Sequence, residues 1–178
     1  MRIASLVALL ATAGCATAPP PAIPDAALGY RSYGRLDDYP RRAPAACDAP
    51  PSPESPGISQ SRDPETHGRK LYYLFAKNRE AYLRVCDVSQ PVGQVLVKQS
   101  WHPAEGSTLR RPMTGAPGPL FLMIKTGDPD SDEGWTYATA TPDGTTITGW
   151  GKIASCMECH RQAKHDRLFG MKSCAAAK

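Results

Sequence analysis

The chain has 178 residues, 41% of them hydrophobic, and a formal charge of +4 at pH 7, enough length and apolar content for one domain with a buried core. The charge surplus is small and the lysines and arginines are scattered, which argues against a nucleic-acid-binding surface and for an ordinary solvated exterior. Six cysteines and eighteen prolines are the compositional features that need explaining.

The chain opens with Met1-Arg2 and the apolar run IASLVALLATAG. One positive charge before a run too short to cross a bilayer reads as a signal peptide over residues 1–14. The run ends in TAGCA, which resembles a bacterial lipobox, with Cys15 as the lipid-bearing N-terminus of the mature chain. Thr12 departs from the leucine-like residue usual there, and cleavage after Ala11-Thr12-Ala13 is the alternative. Both routes deliver the protein to an oxidising compartment. Ala16 after Cys15, where an aspartate would retain the protein in the inner membrane, points to an outer-membrane lipoprotein on the periplasmic side, with a soluble periplasmic protein as the alternative.

Residues 15–27 read as a Pro-rich tether and 28–178 as the folded domain, because eleven of the eighteen prolines fall between residues 16 and 67 and disfavour helix and central strand. Leu28, Tyr30, Tyr33 and Leu36 have the spacing of a short helix or turn packed on the domain, and residues 45–62 read as a loop. LYYLFA suits a strand, and Asn78 is placed to N-cap a short helix after it. In PVGQVLVKQSW the alternation puts Gln94, Leu96 and Lys98 on one face and Val95, Val97 and Gln99 on the other. PLFLMIK, GWTYATAT and TTITGW, the last two joined by a PDG turn, complete the strands. The expected fold is mainly β within the α+β class: an antiparallel sheet, a few short helices and a C-terminal helical segment over about 155–168.

That segment contains Cys156-Met157-Glu158-Cys159-His160, the spacing of covalent c-type haem attachment: two thioethers fix the porphyrin edge, and the adjacent histidine is carried beneath the iron. A structural zinc site needs four ligands, and only His165 and Cys174 lie downstream to complete one. One covalently bound haem c is therefore the expected cofactor, held by Cys156, Cys159 and His160 with His160 on the metal; a redox-active or structural disulfide at the cysteine pair is the alternative. Setting aside Cys15 and this pair leaves Cys47, Cys86 and Cys174, from which one disulfide and one free thiol are expected, with the pairing open. His67, His102 and His165 read as surface residues. Met113 and Met171 are candidates for a sixth iron ligand. A haem motif so near the terminus excludes the class I cytochromes c, and the strand-rich pattern excludes the four-helix cytochromes c′.

The C-x-x-C-H motif followed by Asp166-Arg167-Leu168-Phe169, together with His67-Gly68, Asn78-x-x-Ala81, VGQVLVK, MIKTGD and Gly134-Trp135 in that order, resembles the cytochrome P-460 family, which includes the cytochromes c′-beta. The resemblance covers about residues 28–172. It implies a mostly antiparallel β fold, often a homodimer, with a five-coordinate haem whose open face takes a small nitrogen species such as nitric oxide or hydroxylamine. Hydroxylamine-oxidising members carry a lysine bonded to the porphyrin, and Lys98 stands in that lysine's place. They also carry a distal carboxylate, and Phe121 or a neighbour stands where it would be. Phe121 and Phe75 are the candidates for an apolar distal cap, and Glu80 is a substitute proton acceptor. The expected partners are a nitrogen-containing ligand, a redox protein and, through Cys15, a membrane. If the chain is an enzyme, it is a hydroxylamine-oxidising haem oxidoreductase. The alternative is a six-coordinate electron-transfer cytochrome without a substrate.

Overall fold

The computed structural model describes residues 18–36, 40–42, 70–108 and 110–170. The expected signal peptide, Cys15, Cys47, His67, Met171 and Cys174 lie outside them.

Chain order is α1 (Ala22–Gly29), a 3₁₀ turn (Tyr30–Ser32), β1 (Gly34–Arg35), β2 (Arg41–Arg42), β3 (Leu71–Ala76), α2 (Arg79–Leu83), β4 (Val95–Pro103), β5 (Thr114–Lys125), β6 (Trp135–Ala140), β7 (Ile147–Gly151) and α3 (Ala154–His160). The strands form one antiparallel sheet in the order β1-β3-β4-β5-β6-β7, with β2 also on β3. Successive strands are antiparallel sheet neighbours from β3 to β7, so no crossover is needed to join them, and α2 lies in the β3–β4 connection. The mainly β, α+β fold expected from the alternating runs is what forms.

Two elements differ from the sequence reading. The folded region begins before residue 28, because α1 covers the end of the expected tether and buries Ile23, Ala26 and Ala27. Pro21 and Pro24 are compatible with this, since proline is tolerated at the start of a helix where the N–H groups lack intrahelical partners. The C-terminal helix stops at His160 rather than near Leu168; Asp166 and Arg167 have φ of 47° and 60°, which no right-handed helix accommodates. Asn78 caps α2 as expected, its Oδ1 accepting from Ala81 N at 3.0 Å.

Strand alternation gives the sheet two dissimilar faces. On one, Val95, Val97, Leu120, Leu122, Ile124, Ala138 and Ala140 form a closed core with Ile23, Ala26, Ala27 and Tyr30 from α1 and the turn after it. The other carries two cross-strand rows, Leu74–Lys98–Phe121–Thr139 and Ala76–Leu96–Met123–Tyr137. Its partners are α2 and the segment around α3, which contribute Tyr82, Val85 and Leu168, with Cys156 and Met157 packed at the edge.

Candidate functional site

The second face is incompletely filled. A cavity partly open to solvent lies between the sheet and the C-terminal segment. Its walls include Tyr72, Leu74, Leu96, Lys98, Phe121 and Met123 from the sheet and Cys156, Cys159, His160 and Phe169 from the C-terminal segment. Helical periodicity explains the second group: Cys156, Cys159 and His160 stand at i, i+3 and i+4 of α3 and so share one face, and α3 has no fully buried residue of its own. A short helix laid over a sheet in this way presents side chains to the space beneath it.

His160 is fixed on both sides. Its Nδ1 lies 2.7 Å from the carbonyl oxygen of Arg167. A carbonyl only accepts, so Nδ1 carries the proton and Nε2 keeps its lone pair. Burial holds the imidazole pKa down at about 4, which keeps the ring neutral at neutral pH and suited to bind a metal. The rings of Tyr137 and Phe169 lie 5.5 and 5.8 Å from it. Tyr137 donates its hydroxyl hydrogen to Asp132 Oδ2 at 2.8 Å, and burial, ahead of that bond, pushes its pKa up.

Lys98 extends along the cavity wall with Nζ 4.5 Å from the Tyr72 ring centroid, a cation–π contact. Burial lowers its pKa to about 8, the neighbouring Cys156 acting in the opposite direction. Cys156 is a free thiol, its pKa raised by burial and partly brought back by Ser155 and Lys98.

The sequence-derived candidates therefore separate. Cys156, Cys159, His160, Lys98 and Phe121 meet at one cavity, and Phe121 is the cross-strand neighbour of Lys98. Phe75 does not join them. It belongs to the opposite strand parity from Leu74 and packs edge-on against Tyr30, with ring centroids 5.0 Å apart, beside the closed core. Glu80 is exposed and paired with Arg79 at 3.2 Å. Met113 is outside the cavity wall, beside Gly106, whereas Met123, which the sequence reading passed over, is on it. His102 is exposed as expected, and His165 is half-buried in a bridge to Leu168.

The cysteines correct the expected arithmetic. Cys86 is disulfide-bonded, as its place among the three remaining cysteines suggested, but so is Cys159. One sulfur cannot hold a disulfide and a thioether together, so haem attachment at Cys159 requires that disulfide to be reduced first. The remaining features fit a haem: a largely apolar cavity, a neutral histidine with Nε2 available, and a free thiol one helical turn away.

Sequence reading also missed what supports this site. Asp166 takes Lys125 as a buried ion-pair partner and accepts from Trp135 Nε1 at 3.1 Å and from the Gln90 backbone N–H. Gln90 bonds to Ala81 O and to the buried Gln94, each at 2.8 Å, and Gln94 Oε1 accepts from Asn78 N at 2.8 Å. Fragments scattered along the sequence, Asn78-x-x-Ala81, Gln94, Lys125, Trp135 and Asp166, thus meet in one polar network. Only their order in the chain could have hinted at it.

No curated protein matches the chain. The family model described as Cytochrome P460 matches residues 58–169, which span β3 to β7, Lys98 and Phe121, the C-x-x-C-H segment and Asp166. On that match, with a fold and cavity of the expected kind, the chain belongs to the cytochrome P460 family and is a c-type haem cytochrome.

Proposed function

We propose that the protein is an exported monohaem cytochrome in which Cys156 and Cys159 form thioethers to one haem, His160 binds its iron, and the other axial position receives a small nitrogen species, nitric oxide in preference to hydroxylamine. The haem would supply an iron that binds small molecules and exchanges electrons with a redox partner protein. The chain's own residues orient the group, shield it and set which ligands are accommodated.

One observation carries the preference. No carboxylate is among the described residues lining the cavity. Oxidation of hydroxylamine releases protons and needs a positioned acceptor. Lys98, with a pKa of about 8, is mostly protonated at neutral pH and is a poor one, and the Tyr137 hydroxyl is committed as a donor to Asp132. Glu80, exposed on α2, does not substitute. A neutral diatomic makes no such demand, and apolar walls such as Phe121 suit it.

Met123 gives the six-coordinate alternative a specific basis, since it is a thioether on the cavity wall. The two readings differ in whether added ligand must displace a protein group. Cys15 is proposed as a lipid anchor on the periplasmic side of the outer membrane.

The test of the main reading is a haem count with a turnover assay. It expects one haem per chain that survives denaturing electrophoresis, weak hydroxylamine oxidation in the wild type, and increased turnover in Phe121→Glu, where an acceptor is added to the cavity wall. Efficient turnover by the wild type would overturn the preference for nitric oxide.

A further inference from the structure

The strained segment after the haem motif has a role that the C-x-x-C-H pattern does not contain. Asp166 and Arg167 both have left-handed backbones, with φ of 47° and 60°. For non-glycine residues this conformation persists only where the surroundings over-determine it, and such strain gathers at functional sites. Here the surroundings do so from two sides. The Asp166 side chain is held by Lys125, Trp135 Nε1 and the Gln90 N–H, and its carbonyl also accepts from Trp135 Nε1 at 3.0 Å. The Arg167 guanidinium is held by Asp132 at 3.0 Å and Glu133 at 3.1 Å. Between these two anchors, the Arg167 carbonyl points at His160 Nδ1.

We infer that Asp166, braced by Lys125 and Trp135, is the positioning residue of the proximal histidine: it fixes the left-handed turn that aims the Arg167 carbonyl at His160 Nδ1–H and so sets the orientation and electron donation of the Nε2 ligand. The inference rests on His160 being the iron ligand. A ligating histidine becomes more basic as the acceptor on its other nitrogen is better aligned, and its partners tune the metal. The ion pair is nearly dry, with side-chain exposures of 12% for Lys125 and 6% for Asp166, so removing one charge leaves the other buried and uncompensated. The turn it holds then relaxes toward ordinary backbone angles, and the carbonyl swings off the Nδ1–H axis.

The test uses haem-loaded full-length protein, with resonance Raman of the ferrous iron–histidine stretch and a redox titration for the wild type, Asp166→Asn and Lys125→Met. Both variants should retain covalent haem, move the iron–histidine stretch to lower frequency, and raise the midpoint potential because a less basic histidine favours ferrous iron. Lys125→Arg, which keeps the charge, should restore part of both shifts. A purely structural ion pair would lower the unfolding midpoint and leave stretch and potential where they were, and that result overturns the inference. If Asp166→Asn does not fold, Lys125→Met decides by the same criteria. Failure of the underlying reading is separately visible, because a wild type without His160 on iron shows no iron–histidine stretch to shift.

Discussion

The two faces of the sheet are made by alternate residues of the same strands, yet one is sealed and the other is not. On the sealed face, α1 lays Ile23, Ala26 and Ala27 against Val95, Val97, Leu120 and Leu122; small residues on the helix let it approach closely, and the core fills. On the other face α3 is seven residues long and has no fully buried residue. The chain then turns left-handed at Asp166 and Arg167 before it can cover the sheet, and the cavity remains. The contrast teaches that the site is a packing remainder held open by polar anchors. Both sides of the strands bury hydrophobic residues, but the chemistry belongs to the open one.

The largest expected effect breaks the open side at its attachment points. Cys156→Ala or Cys159→Ala should sharply lower covalent haem, measured as pyridine haemochrome, and His160→Ala should remove the proximal bond, while the sealed core keeps the far-ultraviolet spectrum of a β fold. Normal covalent haem in either cysteine variant would separate the motif from the cavity.

Adjacent residues on β5 compare the faces directly. Leu120, fully buried in the sealed core, should cost about 2–5 kcal/mol when replaced by alanine, because a new cavity is created. Phe121→Ala enlarges a space that already exists and should cost about 1 kcal/mol in the haem-free protein. Urea midpoints at unchanged slope measure both; equal losses would mean that the faces are packed alike.

Lys98 gives a smaller effect with a definite sign. Its pKa is about 8 when folded against 10.5 for the ordinary side chain, so between those values the unfolded chain binds more protons. Stability of the haem-free protein should therefore rise from about pH 8 to 10.5, as the cost of burying an ammonium disappears, and stay level below that window. Lys98→Met should flatten the rise. In the haem-loaded protein Lys98→Ala also reads out a lysine–porphyrin bond: with the bond, the wild-type bands are displaced and the variant shows an ordinary c-haem spectrum; without it, the bands hardly move.

What the sequence disclosed follows from which signals are local. Strand alternation put Lys98 with Leu96 and away from Val97, as found, and Asn78 announced its own cap, because both depend on residues a few positions apart. Phe75 was misplaced because an aromatic in a strand does not declare which face meets the cofactor; parity relative to Leu74 decides that, and only the assembled sheet fixes the parity. α1 was hidden by a Pro-rich context whose prolines sit where a helix start tolerates them. The Lys125–Asp166 pair spans 41 positions, so neither residue could be told from a solvated charge. Cys159 was read as a haem ligand with a disulfide as the alternative, and its disulfide went undetermined because a spacing motif does not say which other thiol folds nearby.

The central claim is an iron bound by His160 with its other axial position available, and nitric oxide added to the reduced protein tests it most directly. The account predicts a five-coordinate high-spin ferrous spectrum that converts promptly and stoichiometrically to a nitrosyl spectrum, with Met123→Leu indistinguishable from the wild type. A six-coordinate low-spin ferrous spectrum that resists nitric oxide, and becomes reactive only when Met123 is replaced, would contradict it and identify an electron carrier instead.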